Sequence, residues 1–222
     1  MISIRQLDFR YPRGGFRLQV SALEVRAGER VAVVGASGSG KTTLLDLIAG
    51  IRNPRAGAIT VAGNLLADFS DASLRDFRIC QIGLIFQAFE LLEYLTVRDN
   101  ILLPYRLGPT LQRPGDPDTR VEKLAAETGI AARLDRLPEQ LSQGERQRAA
   151  ICRALITAPG LILADEPTGN LDPENKQRVL ALLLEQVANH GATLVMVTHD
   201  HDLLKPFDRV LDMRDFHAGD PT

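Results

Sequence analysis

The sequence predicts an α/β fold: a mixed sheet with helices on both faces, joined to an antiparallel β portion and carrying an inserted helical subdomain. Three observations carry this. In the second half, short β-branched apolar runs alternate with helical patterns, as in a parallel sheet covered on both sides. Residues 2–61 instead hold stretches of alternating apolar and polar residues. The interval 70–158 is mostly helical and falls between two strands.

Taken in order, residues 2–11 and 16–25 read as strands on either side of a turn at Arg13-Gly14-Gly15. Arg30 to Val34 is a buried strand that runs into Gly35, and a helix follows from Lys41 to Ala49. Ile59 to Val61 is a further strand. Ser70 or Asp71 caps a helix to Arg78, and Ile82 to Phe86 is a strand. Thr96-x-x-Asp99 is a capping-box pattern that starts another helix. Residues 108–117 are rich in Gly and Pro and read as a loop. A helix spans 119–128, and Gly129 stops it. Helices at 145–157 and 173–189, the latter ended by Gly191, alternate with strands at 161–164, 193–198 and 209–213. The expected division is one domain over 1–222, with a core of 1–69 and 159–222 and the helical subdomain at 70–158.

The composition is that of a globular protein, 45% hydrophobic and 24% charged, and the net charge of -2 lacks the basic excess of a non-specific nucleic-acid binder. The N-terminus reads as a strand rather than a signal peptide. The longest apolar run lies near Val179 to Leu184, far short of the ~20 residues a membrane span needs. Cys80 and Cys152 sit in unrelated contexts and read as reduced, semi-buried thiols.

Gly35-Ala36-Ser37-Gly38-Ser39-Gly40-Lys41-Thr42 satisfies G-x-x-x-x-G-K-[ST] at every fixed position, between a buried strand and a helix. The glycines let backbone N–H groups turn toward phosphate oxygens, and the helix start adds partial positive charge. Lys41 can reach β and γ phosphates, and Thr42 can ligate Mg²⁺. Leu161 to Glu166 is an apolar strand that ends in two carboxylates, at the strand edge where ligands bind in such sheets. Asp165 suits the metal and Glu166 a water aimed at the γ phosphate. Ser142-x-x-Glu145 caps a helix, and Gly144 in its first turn permits close approach of an anion.

Together these motifs resemble, over about 200 residues, the nucleotide-binding subunits of ABC ATPases. Gly35 to Thr42, with Thr43 beside it, is similar to Walker A and makes the core a P-loop NTPase. Leu161 to Glu166 is similar to Walker B with its catalytic glutamate. Gln87 sits at the Q-loop position, and Leu141 to Glu145 resembles the LSGGQ signature. Residues 169–172 look like the D-loop, His199 like the switch histidine and Tyr11 like the aromatic residue that stacks on adenine. Residues 85–92 and 164–172 look most like the MacB/LolD/FtsE group.

The resemblance implies a homodimer around two ATP and Mg²⁺. ATP lies between residues 35–43 of one copy and Ser142, Gln143 and Gly144 of the other. Glu166, His199 and Gln87 are the catalytic set; Thr42, Gln87 and Asp165 are the metal set. Asp172 caps its helix, with Pro173 after it, and communicates across the dimer. A membrane permease docks on the region from Gln87 to Leu95, whose apolar Phe89, Leu91, Leu92, Tyr94 and Leu95 either fold into the core or line a groove for a permease helix. The implied location is cytoplasmic, at the inner face of the membrane, with no nucleic-acid partner.

Competing readings are an FtsE-like regulator of division or cell wall, a soluble DNA- or ribosome-linked ATPase, and a small-molecule kinase. Two departures stand out. Gln143 and Glu145 replace the signature's first glycine and its glutamine, while Ser142 and Gly144 are kept, which leaves slower turnover or weaker dimerisation open. The chain past Phe216 lacks the family's Asp-Gly turn, so a short or missing last hairpin is expected.

Overall fold

The computed structural model describes residues 1–12, 15–108 and 115–216. The turn read at Arg13-Gly14 and most of the loop read at 108–117 lie outside the described residues.

The first sheet is antiparallel. It comprises β1 (Ile2–Arg10), β2 (Arg17–Val25), β4 (Ala56–Val61) and β5 (Asn64–Leu65), in the order β2-β1-β4-β5. Ile2, Ile4, Leu7 and Phe9 of β1 all face inward, because an irregularity at Gln6 (φ 50°) shifts the alternation by one residue between the two pairs. The two-residue β5 is too short to leave a periodic signal in the sequence.

The second sheet is parallel throughout. It comprises β3 (Arg30–Val34), β6 (Ile82–Ile85), β7 (Leu161–Asp165), β8 (Thr193–Val197) and β9 (Arg209–Asp212), in the order β6-β7-β8-β3-β9. Its inner strands are buried on both faces, which explains their unbroken apolar runs. β9 pairs with β3 alone among the described residues; the expected last hairpin concerns residues from 217 on, outside them.

The helices are α1 (Lys41–Ile48), α2 (Asp71–Gln81), α3 (Val97–Leu107), α4 (Pro117–Glu127), α5 (Gln143–Leu155) and α6 (Pro173–Asn189). Each of the last five starts at a side-chain cap: Ser70, Thr96, Asp116, Ser142 and Asp172 accept hydrogen bonds from backbone N–H groups three residues on. α5 begins two residues earlier than its apolar pattern does, because Ser142 rather than a later residue is the cap.

Successive side chains of the parallel strands point to opposite sides, and this divides the interior into two cores. Ile162, Ala164, Leu194 and Met196 pack with α3 to α6, whereas Leu161, Leu163, Val195 and Val197 pack with α1, α2 and the antiparallel sheet. The interval 70–158 contributes to both cores: Leu74 and Phe77 of α2 lie with the antiparallel sheet, and β6 is an edge strand of the parallel sheet. At β6 the sheet meets α5 so closely that a Cβ on Gly83 would sit 2.4 Å from the Ala154 carbonyl oxygen.

Cys152 is fully buried rather than semi-buried. Desolvation pushes its thiol up to about 12. Both cysteines are free. No helix among the described residues is long and apolar enough to cross a membrane.

Candidate functional site

A cleft of about 410 Å³ opens at the C-terminal edge of the parallel sheet. The loop between β3 and α1 forms its floor through Ser37, Gly38, Gly40, Lys41, Thr42 and Thr43. Gly40 is the N-cap of α1 at φ 95°, a conformation that side chains with a Cβ rarely take, and a Cβ there would lie 2.3 Å from Phe16 Cζ. The N–H groups of the first turn therefore stay open to the cleft. Lys41 is buried, and its Nζ donates to the carbonyls of Gly35 (2.9 Å) and Ala36 (3.1 Å) across the loop. Gly35, Ala36 and Ser39 shape the loop from behind rather than line the cleft; a Cβ on Gly35 would meet Ser39 Oγ at 2.7 Å and Met213 Cβ at 2.9 Å.

β7 brings Asp165 and Glu166 to the opposite wall. Asp165 accepts a 2.7 Å hydrogen bond from the Thr42 hydroxyl. Burial raises its pKa above the ordinary carboxylate value, against the lowering effect of the Thr42 bond. Glu166 sits at φ 46°, held by its N–H on the Val197 carbonyl (3.0 Å) and by its own carbonyl on the Gly169 N–H (3.0 Å). Its Oε2 is 2.5 Å from Nδ1 of His199, which follows β8. Gln87 also lines the cleft, exposed, and its carbonyl accepts from Nδ2 of Asn170 (2.9 Å).

Tyr11 closes the far end. Its hydroxyl shares a 2.9 Å hydrogen bond with Thr43 Oγ1, and Phe9 makes a T-shaped contact with its ring. Phe16 lines the cleft beside it, 5.9 Å away between ring centroids. The sequence reading missed Phe16, which looks there like any strand entry; only the stacking of the two sheets places it over Gly40.

Ser142, Gln143, Gly144 and Asp172 do not line this cleft. They lie at the starts of α5 and α6, on the other core. Ser142 and Glu145 cap each other reciprocally, the Ser142 N–H reaching Glu145 Oε2 at 2.8 Å. Arg133 donates to the other Glu145 oxygen at 2.7 Å. These bonds, that of Arg133 first, bring the Glu145 carboxyl down to about 2. The charge at the altered signature position is thus matched within the chain. Asp172 caps α6 through the Asn175 N–H (3.1 Å).

The chain matches the family model described as ABC transporter over residues 18–169. It belongs to the ABC transporter ATP-binding family. It is 45% identical over 195 residues to the lipoprotein-releasing system ATP-binding protein LolD of Chromohalobacter salexigens, covering 87% of this chain and 81% of that one. It is 44% identical over 193 residues to the macrolide export ATP-binding/permease protein MacB of Rhodopirellula baltica, of whose length it spans 28%. The ATP-binding cassette MJ0796, solved as a dimer in a post-hydrolysis state with ADP and phosphate, superposes with a TM-score of 0.84 at 30% identity, covering 96% of this chain and 94% of that one. As a member of this family the chain is an ATP-binding, ATP-hydrolysing subunit that couples hydrolysis to transport, and its fold is that of a P-loop NTPase. The non-transport readings are not favoured.

Proposed function

We propose that two copies pair head to tail, each ATP lying between the phosphate loop of one and the α5 start of the other, to drive a membrane permease. One observation carries this: the cleft holds Lys41, Asp165 and Glu166, while Ser142 and Gly144 stand outside it, at a second helix start. A phosphate held by both must be reached by a second molecule.

Within the cleft, Tyr11 packs on the base and the 37–43 backbone N–H groups hold the phosphates. Lys41 leaves the Gly35 and Ala36 carbonyls for the β and γ phosphates. Glu166 orients the attacking water and accepts its proton as the β–γ bridging P–O bond breaks. His199, bonded to Glu166, steadies the γ-phosphoryl oxygens, and Gln87 reaches the same site from the β6 exit.

The donor set fits Mg²⁺. Thr42 and Asp165 supply two hard oxygens side by side, and that ion is usually held by one or two protein oxygens, substrate phosphates and water. Its chemistry there is neutralisation of phosphate charge. Gln87 belongs to the same set. Asp172 relays between the copies from the start of α6.

The permease docks beside the Gln87 to Leu95 segment. A groove of about 260 Å³ lies there, with Phe86, Leu103 and Leu107 as apolar lining and Arg75 and Glu90 as charged lining. Leu91 packs into the helical core, whereas Tyr94 is 76% exposed, so the apolar cluster of this loop divides between the two readings of it. Asn100, fully buried, fixes the loop by bonding the Leu92 N–H (2.7 Å) and the Leu92 and Leu95 carbonyls (3.0 and 3.1 Å). This docking gives the chain its place at the inner membrane face. LolD and MacB support release or export as the coupled work. The 1–69 and 159–222 core with its 70–158 insertion moves as the dimer opens and closes.

The test is Glu166→Gln. Steady-state hydrolysis is lost while ATP still binds and promotes dimers. Normal turnover in this variant overturns the role of Glu166, and ATP binding without dimers overturns the shared site.

A further inference from the structure

Tyr11 and Arg52 line two different cavities. The Tyr11 ring lines the cleft of the phosphate loop. Arg52 is not part of that lining; it lines a distinct cavity of about 300 Å³ beyond the end of α1. The guanidinium carbon of Arg52 lies 4.8 Å from the Tyr11 ring centroid. This cation is anchored: Arg52 Nε donates to Asp46 Oδ2 at 2.8 Å, and Asp46 belongs to α1, the helix that begins at the phosphate loop. The Tyr11 hydroxyl bonds Thr43 of the same helix at 2.9 Å, and Phe9 forms a T-shaped pair with its ring at a centroid distance of 5.0 Å and an interplanar angle of 84°. Hydroxyl and ring are thus tied to α1 and β1. What Tyr11 turns to the cleft is what these contacts leave uncovered.

We infer that Arg52 is a positioning residue for the nucleotide base: pinned by Asp46, it backs the Tyr11 ring and thereby sets both its orientation and its charge distribution. The inference rests on the reading of Tyr11 as base platform given above. Two effects follow from elementary chemistry. A cation over a ring face is held by the ring quadrupole, so Tyr11 is ordered before the base arrives and less freedom is lost on binding. The cation also draws π density to its own side. The opposite face is then less negative and repels an electron-rich purine less. The Arg52 side chain is 40% exposed, which sets the effect at the low end, about two- to fivefold in affinity.

The experiment compares binding of ADP and of inorganic pyrophosphate, the same two phosphates with and without the base, by calorimetry. Arg52→Met weakens ADP about two- to fivefold and leaves pyrophosphate unchanged. Asp46→Ala, which keeps the cation but removes its anchor, acts in the same direction and with the same selectivity. In a Tyr11→Ala background Arg52→Met adds nothing. Equal weakening of both ligands by both variants overturns the inference, as does unchanged ADP binding in Arg52→Met when Tyr11→Ala weakens ADP selectively. Unchanged ADP binding in Tyr11→Ala instead removes the base-platform reading itself, and the inference with it.

Discussion

Nδ1 of His199 stands 2.5 Å from Oε2 of Glu166, so the residues that follow two adjacent parallel strands act as one unit. Glu166 is mostly enclosed and His199 largely exposed, with side-chain exposures of 12% and 61%. The carboxylate is therefore held from the outside, by a ring that solvent can reach.

Loss of that ring should affect chemistry more than binding. His199→Ala is expected to lower kcat by about 10²–10³-fold, the usual range for losing one group that stabilises charge in the transition state, with little change in ATP affinity. Steady-state kinetics beside equilibrium binding checks this; affinity falling in step with kcat would assign His199 to binding alone.

Asp165 is held at a cost to folding. Its pKa is raised, burial being the largest cause, so the native state binds its proton more tightly than the unfolded chain does. Stability from this group therefore falls as pH rises through the interval above the ordinary Asp value. Asp165→Asn is expected to raise Tm near neutrality, by about 2–4 °C for each ~1 kcal/mol regained, and to abolish hydrolysis. Calorimetric unfolding of both proteins at pH 7 decides it, and a lower Tm in the variant counts against the burial argument.

Glu145 has the opposite sign. Its carboxyl lies at about 2, well below the ordinary 4.5, through Arg133 and then the Ser142 N–H. Its contribution is complete above pH ~4.5 and fades as pH falls toward ~2. Glu145→Ala is expected to destabilise by ~1 kcal/mol at pH 7, as loss of a helix-start partner does, and the difference from wild type should close on acidification. Urea titrations across that window measure it; a gap that stays constant would mean the carboxylate charge is idle.

Gly83→Ala tests the contact between β6 and α5. The new Cβ would fall 2.4 Å from the Ala154 carbonyl oxygen and 2.6 Å from Ile162 Cδ1, so backbone must shift. The expected loss is about 1–3 kcal/mol, with nucleotide affinity of the folded protein retained. A urea midpoint equal to wild type would show that the sheet and helix separate freely.

Much of this architecture is legible in the sequence, for identifiable reasons. The phosphate loop is encoded by spacing, because backbone geometry at Gly35 to Thr42 admits few residue types. Strands such as Leu161–Asp165 declare themselves by burial on both faces, and α6 by Pro173 after an Asp cap. Contacts that depend on how layers stack are not legible. Phe16 over Gly40, Arg52 over Tyr11 and Arg133 on Glu145 each join distant or unrelated segments. α2 runs on to Gln81, three residues beyond its apparent end, and passes straight into β6, where no turn residue marks the change.

The partition of the interior by the parallel sheet has a kinetic consequence. α1, with the phosphate loop at its start, packs on one side, and α5, with Ser142 at its start, packs on the other. Within one chain, Ser142 and Gly144 stand outside the cleft that holds Lys41, so a phosphate gripped by both, as proposed, needs a second copy. On that proposal, turnover scales with the square of enzyme concentration when the protein is dilute, and becomes linear only once encounters saturate or a scaffold holds two copies side by side.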